Sequence, residues 1–244
     1  MTTAPSRPTT GDAFGAMLHA CWRDGDAQEI LERDDGQTYH SRAAAYFAGP
    51  DTWPDVDREL LDRVHGAVLD IGCGAGRTLV ELQARGHPVL GVDPSPGAVE
   101  LCHQRGLPAS RGTAAEPGEL RDRFDTIVLT GNGLGFLESR DQAPRVLQAL
   151  ADVAAPEASL LGTSFDPARL SSAAEHRYRE RNLTAGRLPG QWTIRVRHAD
   201  LVTDWFDYVF LSAEDLEELT RGTPWRVHRI HHGDFHYLAH LVLR

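Results

Sequence analysis

Two acids and three glycines are spaced so that they could bind one ligand between them. The first group lies in Val68-Leu69-Asp70-Ile71-Gly72-Cys73-Gly74-Ala75-Gly76-Arg77; the second acid ends Val89-Leu90-Gly91-Val92-Asp93 and is followed by Pro94-Ser95. Glycines lack Cβ, so the chain can turn sharply and a ligand can lie against its backbone. A dinucleotide calls for Gly-x-Gly-x-x-Gly, with a helix N-terminus facing a pyrophosphate. Here the third position of that pattern is Arg77 and the spacing is Gly-x-Gly-x-Gly. Asp70, two residues ahead of the first glycine, would repel a pyrophosphate and suits an ammonium group. Asp93, 17 residues past Gly76, can accept both hydroxyls of a ribose. A nucleoside with an ammonium end and no phosphate satisfies both acids, and S-adenosylmethionine is such a molecule. NAD would satisfy Asp93 alone.

These residues need strand ends to hold them, and the hydropathy pattern supplies a series. Residues 67–71, 88–92, 107–110, 125–130 and 159–163 read as short apolar strands. Helical spacing separates them at 78–85, 96–105 and 142–154. Strands apolar throughout and alternating with helices imply a parallel sheet buried on both faces. Ahead of them, residues 14–31 carry Met17, Leu18, Cys21, Trp22, Ile30 and Leu31 at helical spacing and read as one or two helices, with more helix at 43–47 and 56–64. Behind them, 192–198 and 202–211 are β-rich, Ser212 with Asp215 marks a helix start, and strands at 225–231 and 235–243 meet at Gly233-Asp234. An antiparallel end to a parallel sheet is expected. The organisation is thus 1–64, an N-terminal helical segment; 65–165, a cofactor-binding core; 166–211, a cap insertion; and 212–244, a final helix and hairpin completing the core sheet.

The whole chain constrains its partners. It has 244 residues and a formal net charge of −10. That balance speaks against wholesale binding to nucleic acid or an anionic membrane. No apolar run is long enough to span a bilayer. Residues 1–12 are polar and read as a frayed end rather than a leader. Cys21, Cys73 and Cys102 are few and unclustered, which fits reduced thiols in a cytoplasmic protein.

Asp70 to Gly76, Gly91-Val92-Asp93 and Phe124-Asp125-Thr126-Ile127-Val128-Leu129 together resemble the class I S-adenosylmethionine-dependent methyltransferase family, in its bacterial small-molecule form. The resemblance runs from about residue 65 to 165. It implies an α/β, Rossmann-like, doubly wound seven-stranded sheet with an antiparallel last strand. By position it implies that Asp70, Ile71, Gly72, Cys73, Gly74 and Arg77 face the methionine part of the cofactor. Asp93, with Pro94 and Ser95, would hold the ribose, Thr113 and Ala114 would lie near the adenine, and Thr130, Gly131 and Asn132 would border the transferred methyl. Tyr46, with Trp53 and Phe47, either closes over the cofactor or packs as plain helix. A weaker similarity at 131–136 and 178–208 points to a bacterial group that implies no acceptor. That group's asparagine pair is Asn132-Gly133 here, so a second amide is missing.

The expected reaction is O- or N-methylation of a small molecule by in-line transfer. Candidates for a proton acceptor are His176, Tyr178, Asp207 and Tyr208, with His236 behind them. Residues 166–199 hold seven arginines (Arg169, Arg177, Arg179, Arg181, Arg187, Arg195 and Arg197), a local reversal of the chain's charge. Two readings stand: Arg195 and Arg197 present cations to an anionic acceptor, or the arginines form a solvated face with pairs such as Glu175–Arg179. His228, His231, His232, His236 and His240 gather near the last hairpin without acids or cysteines to complete a metal site, and no metal is expected. The protein is expected to be a monomer or homodimer. Rival activities are an NAD-dependent oxidoreductase, an enzyme using S-adenosylmethionine for an intramolecular cyclisation, and a binding module without turnover.

Overall fold

The computed structural model describes residues 8–120 and 123–244. In chain order the strands are β1 (Thr9–Thr10), β2 (Gln28–Arg33), β3 (Thr38–Arg42), β4 (Val68–Ile71), β5 (Val89–Asp93), β6 (Ala109–Arg111), β7 (Phe124–Leu129), β8 (Ala154–Phe165), β9 (Gln191–His198), β10 (Leu201–Val202), β11 (Phe206–Val209), β12 (Trp225–His232) and β13 (His236–Leu243). The α-helices are α1 (Ala13–Asp24), α2 (Asp55–Leu61), α3 (Arg77–Ala84), α4 (Pro96–Gln104), α5 (Ala143–Asp152), α6 (Ala173–Thr184) and α7 (Ala213–Leu219).

The core sheet has seven strands in the order β12-β13-β8-β7-β4-β5-β6. β4 pairs in parallel with β5 and β7, and β7 with β8. β13 runs antiparallel to both of its neighbours, as the sequence implied. Burial on both faces follows from the strand period of two. Leu69, Ile127, Leu129 and Leu160 face one way, against α5 and α7. Val68, Val128 and Leu161 face the other, against Val56, Leu60 and Leu61 of α2 and Leu82 of α3. The parallel strands therefore end together at one edge, and the Asp70 and Asp93 side chains arrive there side by side.

The N-terminal segment departs from the helical expectation. The helix ends at Asp24, where Gly25 takes a left-handed cap, and Ile30 and Leu31 belong to a strand of the β2–β3 hairpin. The β-rich stretches of the cap do not extend the core sheet either. β9 takes β2 on one side and β10 and β11 on the other, giving a second, six-stranded sheet built from both segments. Residues 8–12 are not frayed: β1 pairs in parallel with β10, and Asp12 caps α1. Residues 1–7, the rest of that expectation, lie outside the described residues.

Candidate active site

The glycine loop is built as its composition requires. Gly72, Gly74 and Gly76 all have positive φ. A Cβ on Gly72 would strike the Phe136 ring, and one on Gly76 would strike Leu107. Cys73 fills space below, its Sγ 2.6 Å from where a Cβ on Gly91 would sit.

Asp70 lies at the mouth of β4 with 1% of its surface exposed, and neither carboxylate oxygen has a hydrogen-bond partner. Burial pushes its pKa up to about 7; Arg77 opposes that rise and Asp93 adds to it. A native protein rarely leaves a buried carboxylate unpaired, because the charge then has no compensation. Asp93 is also buried, and burial raises it to about 6 against the pull of two backbone donors. Those donors are the Gly74 N–H to Oδ2 and the Ser95 N–H to Oδ1, each at 2.9 Å. Each oxygen keeps a second lone pair. The two acids thus fit a ligand with a cationic amine at one end and a diol further along.

The other end of the site is tied to α2 through Asp57, a residue the sequence reading missed. Asp57 Oδ1 accepts from Thr163 Oγ1 at 2.9 Å and from the Gly131 N–H at 3.2 Å. Its Oδ2 lies 3.5 Å from Arg77 Nη2. Thr163 Oγ1 in turn accepts from the Asn132 N–H at 3.2 Å, and the Asn132 carbonyl accepts from the Tyr208 hydroxyl at 2.6 Å. Asn132 is held at φ 66°, and its side-chain Oδ1 is buried without a partner. Arg77 stacks over Trp53 at 4.7 Å, and its Nη2 lies 2.9 Å from where a Cβ on Gly131 would sit. A signal for Asp57 was available: it sits on the apolar face of its helix, at i,i+3 and i,i+4 from Leu60 and Leu61.

Tyr46 does lie over the glycine loop. Its ring edge is 3.6 Å from where a Cβ on Gly74 would be, with Phe14 edge-on to it at 5.2 Å between centroids. Its hydroxyl donates to Glu29 Oε1 at 2.8 Å, and burial holds its pKa well above the usual phenol value. Phe47 packs away from the site, stacked on Trp22. Ser95 does not offer its hydroxyl outward: Oγ caps α4 at Ala98 and donates to Asp12. The Thr113 hydroxyl accepts from the Glu116 N–H, while Ala114 is buried beside the core. Thr130 meets Thr78, Oγ1 to Oγ1, at 3.0 Å.

The proton-acceptor candidates separate. Tyr178 donates to Asp34 and accepts from the Thr193 N–H. Asp207 takes hydrogen bonds from Thr193, Gln191 and Arg187. His176 contacts Arg179 and lines an open surface cleft with Asp166 and Glu214. These three have their polar atoms engaged within the cap or on its surface. Tyr208 reaches the site, edge-on to Phe136 and bonded to Asn132. Half-buried His236 sits where Phe165 and Phe235 meet, its pKa lowered by burial and raised in part by Asp57.

The arginines divide: Arg177 and Arg181 lie on an exposed face of α6, while Arg195 and Arg197 are engaged by an acid. Arg195 grips Glu32 through Nε and Nη2 at 3.0–3.1 Å, and Arg197 reaches the same carboxylate at 3.2 Å. Arg181 pairs with Asp34, and Glu175 pairs with Arg33 instead of Arg179. Glu32 of β2 and Asp34 of the turn after it hold Arg195, Arg197 and Arg181 across the second sheet, and Asp207 of β11 holds Arg187 within the cap. Among the late histidines, His228 and His240 pack edge-on with ring centroids 5.1 Å apart, His240 Nε2 lies 2.9 Å from Ser159 Oγ, and His231 faces Arg63 and Glu59.

The profile of the methyltransferase-domain family matches residues 42–231. A 2-heptyl-1-hydroxyquinolin-4(1H)-one methyltransferase of Mycobacteroides abscessus is 32% identical over 115 residues, 43% of this chain and 49% of that protein. The chain thus matches about half the length of that relative. A Bacteroides fragilis SAM-dependent methyltransferase, solved with S-adenosyl-L-homocysteine, superposes with a TM-score of 0.82 at 22% identity, covering 99% of this chain and 98% of that one. The glycopeptide N-methyltransferase MtfA, solved with S-adenosyl-L-methionine, gives 0.54 at 17% identity over 77% and 86%. With an unpaired acid at the first strand, a second acid at the next and a family profile spanning most of the chain, the protein belongs to the class I S-adenosylmethionine-dependent methyltransferases.

Proposed function

We propose that the methyl acceptor is a small molecule and that the methylated atom is an oxygen or nitrogen that carries a hydrogen before transfer. The observation that carries this is the Asn132 side-chain oxygen, buried and without a donor at the end of β7. An acceptor O–H or N–H pointed at that oxygen would satisfy it and turn a lone pair toward the reacting carbon. Enclosure supports a small acceptor, because Tyr46, Phe136 and Tyr208 surround the strand ends and the second sheet covers them.

The cofactor supplies an electrophilic methyl on sulfur, and the chain supplies alignment and charge. In this reading Asp70 takes the ammonium, Arg77 the carboxylate and Asp93 the ribose hydroxyls. Gly72 and Gly74 admit the ligand to the backbone, with Ile71, Cys73, Pro94 and Ser95 shaping the floor. Thr113 and Ala114 flank the base, and Thr130, Gly131 and Asn132 border the methyl. Asp57 fixes the Gly131–Asn132 turn from below and Tyr208 fixes it from the cap. The acceptor's hydrogen, held by Asn132 Oδ1 during transfer, leaves afterwards as a proton to water or to His236, whose imidazole burial keeps neutral while Asp57 offsets part of that shift.

A metabolite extract incubated with methyl-labelled cofactor tests the reading. Label should pass to a low-mass compound with release of S-adenosylhomocysteine, and Asn132→Leu should abolish the transfer. Methylthioadenosine in place of S-adenosylhomocysteine would mean that the enzyme consumes its cofactor in another way.

A further inference from the structure

We propose that the amino end of α1 is the gate of the nucleoside site and that Asp12 is the positioning residue that latches it, so that one carboxylate sets how fast cofactor and spent product exchange. Asp12 does more than cap its own helix. Its Oδ1 accepts from the Gly15 N–H at 2.9 Å, which is the cap, and from Ser95 Oγ at 2.8 Å. Its Oδ2 accepts from the Gly97 N–H at 2.8 Å. Ser95 and Gly97 open α4, directly behind Asp93. The same side chain therefore joins the N-termini of two helices, one of which follows the ribose-binding acid.

The helices meet with almost nothing between them. A Cβ on Gly15 would lie 2.7 Å from the Gly97 Cα, and one on Gly97 would lie 2.8 Å from the Gly15 Cα. Between them, Phe14 projects from the first turn of α1 onto the glycine loop, 3.7 Å from where a Cβ on Gly74 would stand. The first turn of α1 thus overlies both acid-bearing loops at once. Further along, Met17 and Leu18 are fully buried against Ala75, Ala98 and Leu101, which anchors the remainder of the helix. Glycines bracket the element: Gly11 precedes it, and Gly25 follows in a left-handed conformation with open space around it. The chain before Gly11 is tied to the cap through the β1–β10 pairing. A nucleoside spanning Asp70 to Asp93 passes beneath Phe14, so entry requires that turn to lift and the Asp12 contacts to break.

The test uses S-adenosylhomocysteine as the probe and the full-length protein, with release followed by surface plasmon resonance. Asp12→Ala removes the cap and the latch together and should raise the dissociation rate at least tenfold. Asp12→Asn separates the two functions, because asparagine caps helices about as well as aspartate. Its amide, however, turns a donor toward the Gly97 N–H. That variant should melt within about 2 °C of the wild type and still release the probe at least threefold faster. Release within twofold of wild type from Asp12→Asn overturns the latch, and leaves Asp12 an ordinary helix cap. Amide hydrogen exchange of residues 13–16 in the wild type supplies a second reading that needs no variant. Protection should rise when the probe saturates the protein, and unchanged protection also overturns the gate.

Discussion

Asp70 has been buried without a partner, and a residue kept in that condition is costly to the empty protein. In the unfolded chain it loses its proton near the usual carboxylate value, whereas folding raises it to about 7. What it contributes to stability is present in full below about pH 4 and is lost as the pH rises through 7. Asp70→Asn removes a buried charge at neutral pH. The cofactor-free variant should therefore be more stable than wild type by about 1–3 kcal/mol at pH 8, read by urea unfolding. Its affinity for S-adenosylhomocysteine should fall about 10- to 100-fold by calorimetry, the loss of one charge-assisted hydrogen bond. A variant less stable than wild type would mean that Asp70 has a structural partner. The sequence made Asp70 and Asp93 readable because each sits at a fixed offset from glycines within one strand-turn-helix unit. Asp57 and Asp12 act across 74 and 85 residues of chain, on Gly131 and Gly97, and no local spacing reports such a contact.

At the scale of elements, the core strands could be read because apolar residues fill both faces, so alternation did not have to be seen. The β2 strand hid for the opposite reason. Its inward residues include Glu29 and Arg33, both buried, so charge occupies the positions where a hydropathy pattern looks for apolar side chains. Arg33 is fully buried, paired with Glu175 at 2.8 Å and Asp35 at 2.9 Å, and set 3.9 Å over Tyr178 and 4.6 Å over Trp192. Asp35 compensates one side of that arginine locally, and the other side depends on Glu175, 142 residues away. Arg33→Met alone should cost about 3–5 kcal/mol, because it strands a buried carboxylate. Adding Glu175→Gln should recover at least half of that loss in thermal melts. Arg195 and Glu32 form a second bridge across the β2–β9 seam. Arg195→Glu should lower the melting temperature and leave the acceptor KM unchanged, and Glu32→Arg in the same chain should restore most of the stability. A raised KM with unchanged melting would instead return Arg195 to the acceptor site.

Across the whole molecule, a helix, a hairpin and a late insertion form one cover over a parallel sheet, and ligand binding couples them through protons. Two sets of buried groups pull in opposite directions. Asp70 and Asp93, raised to about 7 and about 6, make the empty protein less stable as the pH climbs from 4 to 7. His240, pushed down to about 4 by burial and by nearby His228 and Arg63, stays neutral when folded but takes a proton when unfolded below about 6.5. Its contribution is therefore lost as the pH falls from 6.5 through 4. Empty protein should show a broad, shallow stability profile, since the two trends offset. Ligand breaks the balance, because an ammonium at Asp70 needs the ionised form. Below pH 7 the affinity for S-adenosylhomocysteine should fall by up to tenfold per unit, which at fixed excess ligand is about 1.4 kcal/mol of lost stabilisation. The melting shift produced by saturating ligand should accordingly grow from pH 5.5 to 8 in the wild type, whereas in Asp70→Asn it should be flat above pH 7 and fall only toward pH 6, where Asp93 takes its proton. His240→Gln should steepen neither curve, but it should raise acid stability with and without ligand alike. If the ligand-induced shift is independent of pH in the wild type, the proton linkage at Asp70 is absent and its carboxylate does not meet the ammonium.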